Sequence, residues 1–329
     1  MLLSNPCLWT PEFSGSSLHT IRSDRTTRSG HGGYMSNNEP DLLNDLIQPA
    51  RLTAVVDVGA NPIDGEPPYK MMLQRRLCTV VGFEPQDAAL TELNARKSDL
   101  ESYYHYVVGN GHKAKLRLCR IPGMTSLLIP DQNALSHFAK FAEWGSVVSE
   151  HPVQTRRLDD IAEIRDLDFL KIDVQGSELA VFGSGRQKLK QAVAIQTEVS
   201  FLCLYKEQPT FGEIDGELRK QGFVPHTFTA INRRMIAPLS DPSNPYAAMN
   251  QLLEADIVYV RNFMRPADMT IEQLKHLAMI AHHCYRSFDL AANCIHQLIA
   301  RKAIPGHSIH DYMASLQIGT AGAEPRSPV

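Results

Sequence analysis

The sequence lacks the cysteine patterns of disulfide scaffolds and of structural zinc sites. Its 329 residues contain six cysteines, no two of which form a CxxC pair, and no Cys and His spacing matches a structural zinc site. Several cysteines lie in apolar segments, as Cys119 does. Because reduced core thiols are typical of cytoplasmic proteins, we predict a cytoplasmic location.

Long hydrophobic runs and an excess of one charge are missing as well. No stretch reaches the roughly 18 to 20 consecutive apolar residues of a membrane-spanning helix, so we predict no membrane span. The N-terminal residues lack the apolar region of a secretory signal. The chain has 33 basic and 36 acidic side chains, and this balance gives no general attraction for nucleic acid. We therefore expect no nucleic-acid partner.

Changes in composition along the chain predict four segments. Residues 1–38 mix Gly, Ser, Thr and Arg without apolar periodicity, which predicts a disordered tail. A start at Met35 instead of Met1 is a second explanation for this stretch. We predict a globular α/β domain over residues 39–264, a helical appendage over 265–317 and a disordered tail over 318–329. The sequence leaves open whether the chain forms a homo-oligomer.

Apolar runs alternate with helical spacing through the predicted α/β domain. This alternation indicates right-handed βαβ units and a mainly parallel sheet, and apolar runs suit strands covered on both faces. A Pro-rich loop without a clear crossover helix separates the last two strands, which predicts an antiparallel hairpin. The main strand runs are 52–58, 79–83, 103–108, 169–174, 192–199, 223–228 and 256–260; runs 115–119 and 153–158 alternate like added strands, and residues 122–150 and 229–252 are predicted to be irregular loops.

The C-terminal region begins with a helix start signal. Thr270-Ile-Glu-Gln is a capping box, because Gln273 stands three residues after the cap. Apolar residues then recur at helical spacing up to Cys284 and again over 290–299. This pattern predicts a helical hairpin, which is either an appendage packed on the domain or a partner-binding module.

A glycine-containing turn follows the first strand run. Gly59, in Val55-Val-Asp-Val-Gly-Ala-Asn, lets the backbone approach a ligand closely, and doubly wound folds bind nucleotides at this end of the first strand. The pyrophosphate-binding pattern GxGxxG is absent, since Pro62 stands between Gly59 and Gly65. Its absence disfavours a nicotinamide-dependent oxidoreductase and suits a nucleoside cofactor without pyrophosphate.

An acidic residue ends the second strand run. Glu84, in Val81-Gly-Phe-Glu-Pro, can accept hydrogen bonds from both hydroxyls of a ribose. Because Glu84 ends the strand that follows the Gly59 turn, we predict that it binds a ribose rather than being a solvated loop carboxylate.

Four motifs together resemble the FkbM-type methyltransferases. They are Asp57-Val-Gly-Ala-Asn, Gly82-Phe-Glu-Pro, Gly123-Met-Thr-Ser-Leu, and Leu158-Asp-Asp-Ile followed by Phe169-Leu-Lys-Ile-Asp-Val-Gln-Gly-Ser-Glu. The resemblance implies a Rossmann-like class I methyltransferase fold with seven strands, S-adenosylmethionine as cofactor, and mostly O-methylation of sugar or natural-product hydroxyls. Residues 39–264 would then form the methyltransferase domain.

The resemblance also implies roles for the matching residues. Asp57, Gly59, Ala60 and Asn61 would meet the amino-acid end of the cofactor, Glu84 and Pro85 would hold its ribose, and Gly109 and Asn110 its adenine. The signature after the fourth main strand comprises Lys171, Asp173, Gly176 and Glu178. The chain departs from the family pattern at Ile63, where Gly is usual, at Pro67-Pro68, and at Gln175, where Glu is usual.

Methyl transfer to an alcohol requires a base near the methyl group. The candidates at the carboxyl ends of the later strands are Asp173, Glu198, His226 and Lys171. Lys171 could act as a base only in a buried, neutral form, and a salt bridge to a neighbouring carboxylate is its other interpretation. Asp173 and Glu198 could instead hold a divalent metal ion, although two ligands are too few to support one.

The predicted function is therefore S-adenosylmethionine-dependent methylation of a small-molecule or glycan acceptor. The alternative is a non-catalytic S-adenosylmethionine-binding module that acts in assembly through its C-terminal helices.

Overall fold

The computed structural model of the protein describes residues 41–61 and 65–320, with side chains as far as residue 316. Within these residues, ten strands form two sheets and eleven α-helices accompany them. The strands are β1 (Thr53–Val58), β2 (Cys78–Phe83), β3 (Glu101–Tyr104), β4 (Val107–Gly109), β5 (Lys113–Cys119), β6 (Val147–Arg157), β7 (Phe169–Ile172), β8 (Ala194–Ser200), β9 (Phe223–Arg234) and β10 (Gln251–Arg261). The helices are α1 (Leu42–Ile47), α2 (Lys70–Gln74), α3 (Asp87–Arg96), α4 (Gln132–Leu135), α5 (Phe141–Trp144), α6 (Glu178–Ser184), α7 (Arg186–Leu189), α8 (Phe211–Lys220), α9 (Ile271–Tyr285), α10 (Phe288–Ala300) and α11 (Ser308–Thr320).

A seven-stranded sheet in the order β3-β2-β1-β7-β8-β10-β9 forms the centre of the fold. Strands β3, β2, β1, β7 and β8 run parallel to one another, whereas β10 is antiparallel to both β8 and β9. The predicted mainly parallel sheet with an antiparallel final hairpin is thus confirmed.

Both faces of this sheet are covered. All six residues of β1 are buried, and because successive side chains of a strand point to opposite faces, Val55 and Val56 belong to different cores. The core around Val55 includes residues of α1, α2 and α9 to α11, and the core around Val56 includes residues of α6 and α8. This three-layer arrangement explains why the central strands read as continuous apolar runs.

A smaller sheet in the order β4-β6-β5 corrects the prediction of one strand over residues 103–108. β3 ends at Tyr104, and the next strand, β4, pairs with β6 instead of with β2. Pairing partners are set by contacts distant in sequence, so one apolar run can supply two sheets. The added strand predicted at 115–119 is present as part of β5.

Two regions predicted to be irregular loops contain regular structure. Residues 122–150 contain α4, α5 and the start of β6, and residues 229–252 contain the end of β9 and the start of β10. Both loop predictions were therefore wrong in part. Register shifts interrupt the β9–β10 pairing and blur the alternation that would otherwise mark a long hairpin.

The predicted C-terminal hairpin is present as α9 and α10, with the Thr270 and Gln273 capping box formed at the start of α9. A third helix, α11, was not predicted and runs to Thr320, so the first residues of the tail predicted from 318 are helical. The tail predicted over residues 1–38 and the rest of the C-terminal tail lie outside the described residues. Leu277, Ile295 and Tyr312, one on each helix, are fully buried.

Candidate functional site

The turn after β1 accepts only glycine at position 59. Gly59 has a φ of +78°, and a Cβ atom there would lie 1.9 Å from the main-chain oxygen of Asp173. The N–H groups of Gly59 and Ala60 donate to the carbonyl oxygen of Phe83 at 3.0 and 3.2 Å. The turn is therefore tied to the end of β2 and pressed against the end of β7.

The Glu84 cavity opens beside this turn. Its wall includes Gly59, Asn61, Glu84, Pro85 and Asp173. The opposite wall comes from a segment that we call the cap, residues 122–128, of which Pro122, Gly123, Thr125, Ser126 and Leu127 line the cavity. The structure thus brings Gly59 and Asn61, assigned to the amino-acid end of a cofactor, together with Glu84 and Pro85, assigned to its ribose.

Glu84 is the buried acid of this cavity. Its side chain is almost fully buried, and its Oε1 accepts the N–H of Gln86 at 2.7 Å. Burial raises the pKa of Glu84 to about 7, since a low-dielectric environment disfavours the charged form. Hydroxyl donors placed in the cavity would favour the ionised carboxylate.

Asp57, near the end of β1, is held by two side chains. Its Oδ2 accepts the hydroxyl of Tyr69 at 2.6 Å, and its Oδ1 lies 3.5 Å from Nζ of Lys171. Lys171 also donates to the carbonyl oxygen of Gly59 at 3.2 Å. The Asp57–Lys171 ion pair agrees with the salt-bridge interpretation of Lys171. Because Lys171 also binds the Gly59 carbonyl oxygen, it stabilises the glycine turn.

A second cavity, which we call the Tyr69 cavity, meets the first. It is lined by Tyr69, Lys171 and Gln196 among others, and both cavities share Asn61 and Asp173. Asp57 and Ala60 line this second cavity. Asn61 and Asp173 therefore lie at the junction between the two cavities.

Asp173 is part of a chain of polar side chains. Gln175 donates from Nε2 to Oδ1 of Asp173 at 2.9 Å, and the same nitrogen lies 3.4 Å from Oε2 of Glu198. Burial, together with the nearby Glu254 and Asp173 carboxylates, raises the pKa of Glu198 well above its usual range. Glu178 accepts the N–H groups of Val174 and Gly176, which fixes the loop after β7, and burial raises the pKa of Glu178 to about 7.

Three residues predicted for the site lie elsewhere. Ring Nε2 of His226 and Oγ of Ser287 share a hydrogen bond of 2.7 Å beside α10, and His226 lines neither cavity. Gly109 and Asn110 line a neighbouring cavity with Thr155, because β4 leads away from the central sheet to pair with β6.

Other residues at the site were not predicted. Tyr106, Val107 and Val108 occupy the side of the Glu84 cavity where Gly109 and Asn110 were expected. Tyr205, whose hydroxyl reaches both the cap and Gln175, was also missed. The apolar run through Val108 was visible in the sequence, but Tyr205 lies in a loop with no chemical motif around it.

A metal site finds no support in the described part of the chain. Within residues 41–61 and 65–320, no group of three His, Cys, Asp or Glu side chains has an arrangement that could hold a metal ion. The same residues include no helix with the length and apolar character needed to cross a membrane.

The sequence profile of the methyltransferase FkbM domain matches residues 57–225, just over half of the chain. The chain belongs to the FkbM methyltransferase family. This membership makes it an S-adenosylmethionine-dependent methyltransferase and leaves the acceptor undetermined. Curated protein sequences gave no match.

Solved structures similar to this FkbM family member are distant. Methyltransferase FkbM from Methylobacillus flagellatus KT has a TM-score of 0.36 and 11% identity, over 64% of this chain and 43% of that one. Magnesium protoporphyrin IX methyltransferase from Synechocystis PCC 6803, solved with bound S-adenosylmethionine, has a TM-score of 0.34 and 10% identity, over 67% and 74%. Because these TM-scores are low, the family assignment rests on the sequence match.

Proposed function

We propose that the protein transfers the methyl group of S-adenosylmethionine to a hydroxyl of a sugar, glycan or natural product. The observation that carries this proposal is the junction of the two cavities at Asn61 and Asp173. Methyl transfer is an in-line displacement, which needs donor and acceptor on opposite sides of the moving carbon. Two cavities that share a wall of two polar residues suit this requirement.

The Glu84 cavity has the chemistry to hold the donor. Glu84 would accept hydrogen bonds from the ribose hydroxyls, and the Gly59 turn in the same cavity wall would meet the amino-acid end. Tyr106, Val107 and Val108 would contact the adenine, in place of Gly109 and Asn110. When bound, S-adenosylmethionine supplies a methyl carbon that is already electrophilic at its sulfonium, so the protein mainly positions the reactants and excludes water.

Among the four base candidates, Asp173 fits best. It lies at the junction, and a carboxylate there can take the proton of an acceptor hydroxyl. Glu198 lines neither cavity, and burial raises its pKa, which disfavours the ionised form that would act as a base. Lys171 is engaged by Asp57 and Gly59, and His226 contacts Ser287.

The competing interpretations receive less support. For a divalent metal, the described part of the chain offers no group of three side chains around Asp173 and Glu198 that is arranged to hold the ion. The non-catalytic assembly module requires C-terminal helices with a free apolar face, but Leu277, Ile295 and Tyr312 are buried in the core of the domain. The family match excludes the nicotinamide-dependent oxidoreductase.

Titration calorimetry with S-adenosylmethionine tests the donor site. We expect micromolar binding by the wild type that is lost in Glu84→Ala and retained in Asp87→Ala, an exposed carboxylate three positions further on. Asp173→Asn should still bind the donor. A folded wild type that binds no donor, with or without acceptors present, would contradict the proposal.

Transfer of labelled methyl groups to a panel of sugars, oligosaccharides and hydroxylated natural products tests the acceptor class. We expect product only with hydroxyl-bearing acceptors, and loss of product in Asp173→Asn despite donor binding. Methylation restricted to nitrogen or carbon acceptors would overturn the O-methylation proposal.

A further inference from the structure

We propose that Gln175 is a positioning residue that couples closure of the cap over the Glu84 cavity to the orientation of the Asp173 carboxylate. This inference rests on the proposed function, in which Asp173 is the base. It concerns a residue in the wall of the Glu84 cavity that joins the cap to Asp173.

The first observation is the orientation of the Gln175 amide. Its Nε2 lies 2.9 Å from Oδ1 of Asp173, and its Oε1 lies 3.3 Å from the hydroxyl of Tyr205. An ionised carboxylate accepts hydrogen bonds and a tyrosine hydroxyl can donate one, so the NH₂ group faces Asp173 and the oxygen faces Tyr205. Turning the amide over would lose the hydrogen bond to Asp173 and place the amide oxygen against the carboxylate, whereas the Tyr205 hydroxyl can donate or accept.

The second observation is that the same residues hold the cap. The Tyr205 hydroxyl lies 3.1 Å from the carbonyl oxygen of Met124, and Oγ of Ser126 donates to the main-chain oxygen of Gln175 at 2.6 Å. Ser126 Oγ also accepts the N–H of Leu128 at 3.0 Å. The cap is therefore fastened to the loop after β7 through Gln175 and Tyr205.

The other side of the cap is attached locally to β5. Arg117 donates from Nη1 to the carbonyl oxygen of Leu127 at 2.5 Å, and its backbone pairs with that of Ser126. Contacts between residues about ten positions apart persist more easily than contacts across the fold. Opening of the cap would thus hinge at β5 and release Tyr205 and Gln175.

The third observation is the backbone at Gln175. Its φ is +52°, a conformation that costs a non-glycine residue free energy and persists only where the surroundings hold it. The main-chain bond from Ser126 and the bonds of the side-chain amide hold it there. A shift of the cap would therefore displace Nε2 of Gln175 and change its hydrogen bond to Asp173.

The experiment reads the Asp173 carboxyl carbon by NMR in the full chain, with aspartate labelled at the carboxyl carbon and the signal assigned with Asp173→Asn. Tyr205→Phe removes one hydroxyl that does not touch Asp173, and Gln175→Met removes the amide at nearly constant length. We expect Tyr205→Phe to shift the Asp173 signal by more than its linewidth. In the Gln175→Met background the same substitution should have no further effect.

The matched control is Tyr312→Phe, which removes a buried hydroxyl that bonds His282 among the C-terminal helices and should leave the Asp173 signal unmoved. Circular dichroism confirms that each variant folds. Two results would overturn the coupling. In one, Tyr205→Phe leaves the Asp173 signal unshifted; in the other, it shifts the signal by the same amount in the wild-type and Gln175→Met backgrounds.

Addition of S-adenosylhomocysteine to the wild type separates this inference from the proposed function. If the ligand shifts no signal and does not bind, the cofactor assignment fails, while the NMR comparison of free variants still decides whether Gln175 joins the cap to Asp173.

Discussion

The α-carbon of Gly59 faces the main-chain oxygen of Asp173, and a methyl group on that carbon would stand 1.9 Å from the oxygen. The two residues belong to the ends of neighbouring parallel strands. The N–H of Asp173 donates to the carbonyl oxygen of Val58 at 2.9 Å, and Lys171 binds the Gly59 carbonyl oxygen as well as Asp57, so the end of β7 holds the glycine turn in place.

Gly59→Ala should destabilise the fold and weaken donor binding. The positive φ of the turn alone costs an alanine about 1 to 3 kcal/mol, and the clash with Asp173 adds to it. Urea denaturation and calorimetric titration with S-adenosylmethionine measure the two effects. Gly123→Ala is the matched control, since a Cβ on this other glycine of the Glu84 cavity meets nothing within 4 Å; equal behaviour of the two variants would refute the steric argument.

Donor binding should strengthen as the pH rises from 6 to 8. The pKa of Glu84 in the free protein is raised to about 7, and ribose hydroxyls bind best to the ionised carboxylate, so binding should release a proton below about pH 7 and none well above it. Calorimetry in buffers of different ionisation enthalpy measures this release, which Glu84→Gln should abolish.

The same carboxyl should make the free protein less stable as the pH rises. The folded-state pKa lies above the unfolded value of about 4.3, so folding favours the protonated form. The resulting stabilisation is complete below about pH 4 and is lost between there and pH 7. Relative to Glu84→Gln, the wild type should lose stability across this window in thermal melts, and parallel curves would contradict the assignment.

Lys171→Met should destabilise the protein by about 3 kcal/mol, because it leaves the buried Asp57 carboxylate without its cation. Adding Asp57→Asn should recover part of this loss, since the unpaired charge disappears. A double-mutant cycle from urea denaturation measures the coupling, and strict additivity would show that the pair is not stabilising.

His226→Ala should leave donor binding and methyl transfer unchanged. The substitution removes the hydrogen bond to Ser287 and is expected to lower the free energy of unfolding by about 1 kcal/mol. Ser287→Ala is the matched variant and should cost a similar amount. A large loss of turnover with intact folding would return His226 to the list of bases.

Most of the central sheet could be predicted from the sequence because its signals are local. A few neighbouring residues are enough to recognise each of these features: the apolar runs around Val55 and Leu170, the Thr270 capping box and the acid at Glu84. Because the carboxyl ends of neighbouring parallel strands lie at the same edge of the sheet, residues as distant in sequence as Gly59 and Asp173 could be placed together.

What could not be predicted depends on contacts between distant segments. The chain after Tyr104 pairs with β6, and this choice moves Gly109 and Asn110 away from the Glu84 cavity. His226 lies in the predicted strand, but its side chain is directed to Ser287 by packing against α10. Tyr205 reaches the site through hydrogen bonds to Met124 and Gln175, which lie far from it in sequence.

The order of the strands bears on how the protein is made. β10 lies between β8 and β9 in the sheet, although it follows both in the chain. On the ribosome, β9 therefore emerges before the strand it pairs with, and its apolar residues stay without a partner until residues 251–261 have left the exit tunnel. Because an unpaired strand is prone to associate with other chains, this interval of synthesis is where we expect the nascent chain to depend most on chaperones.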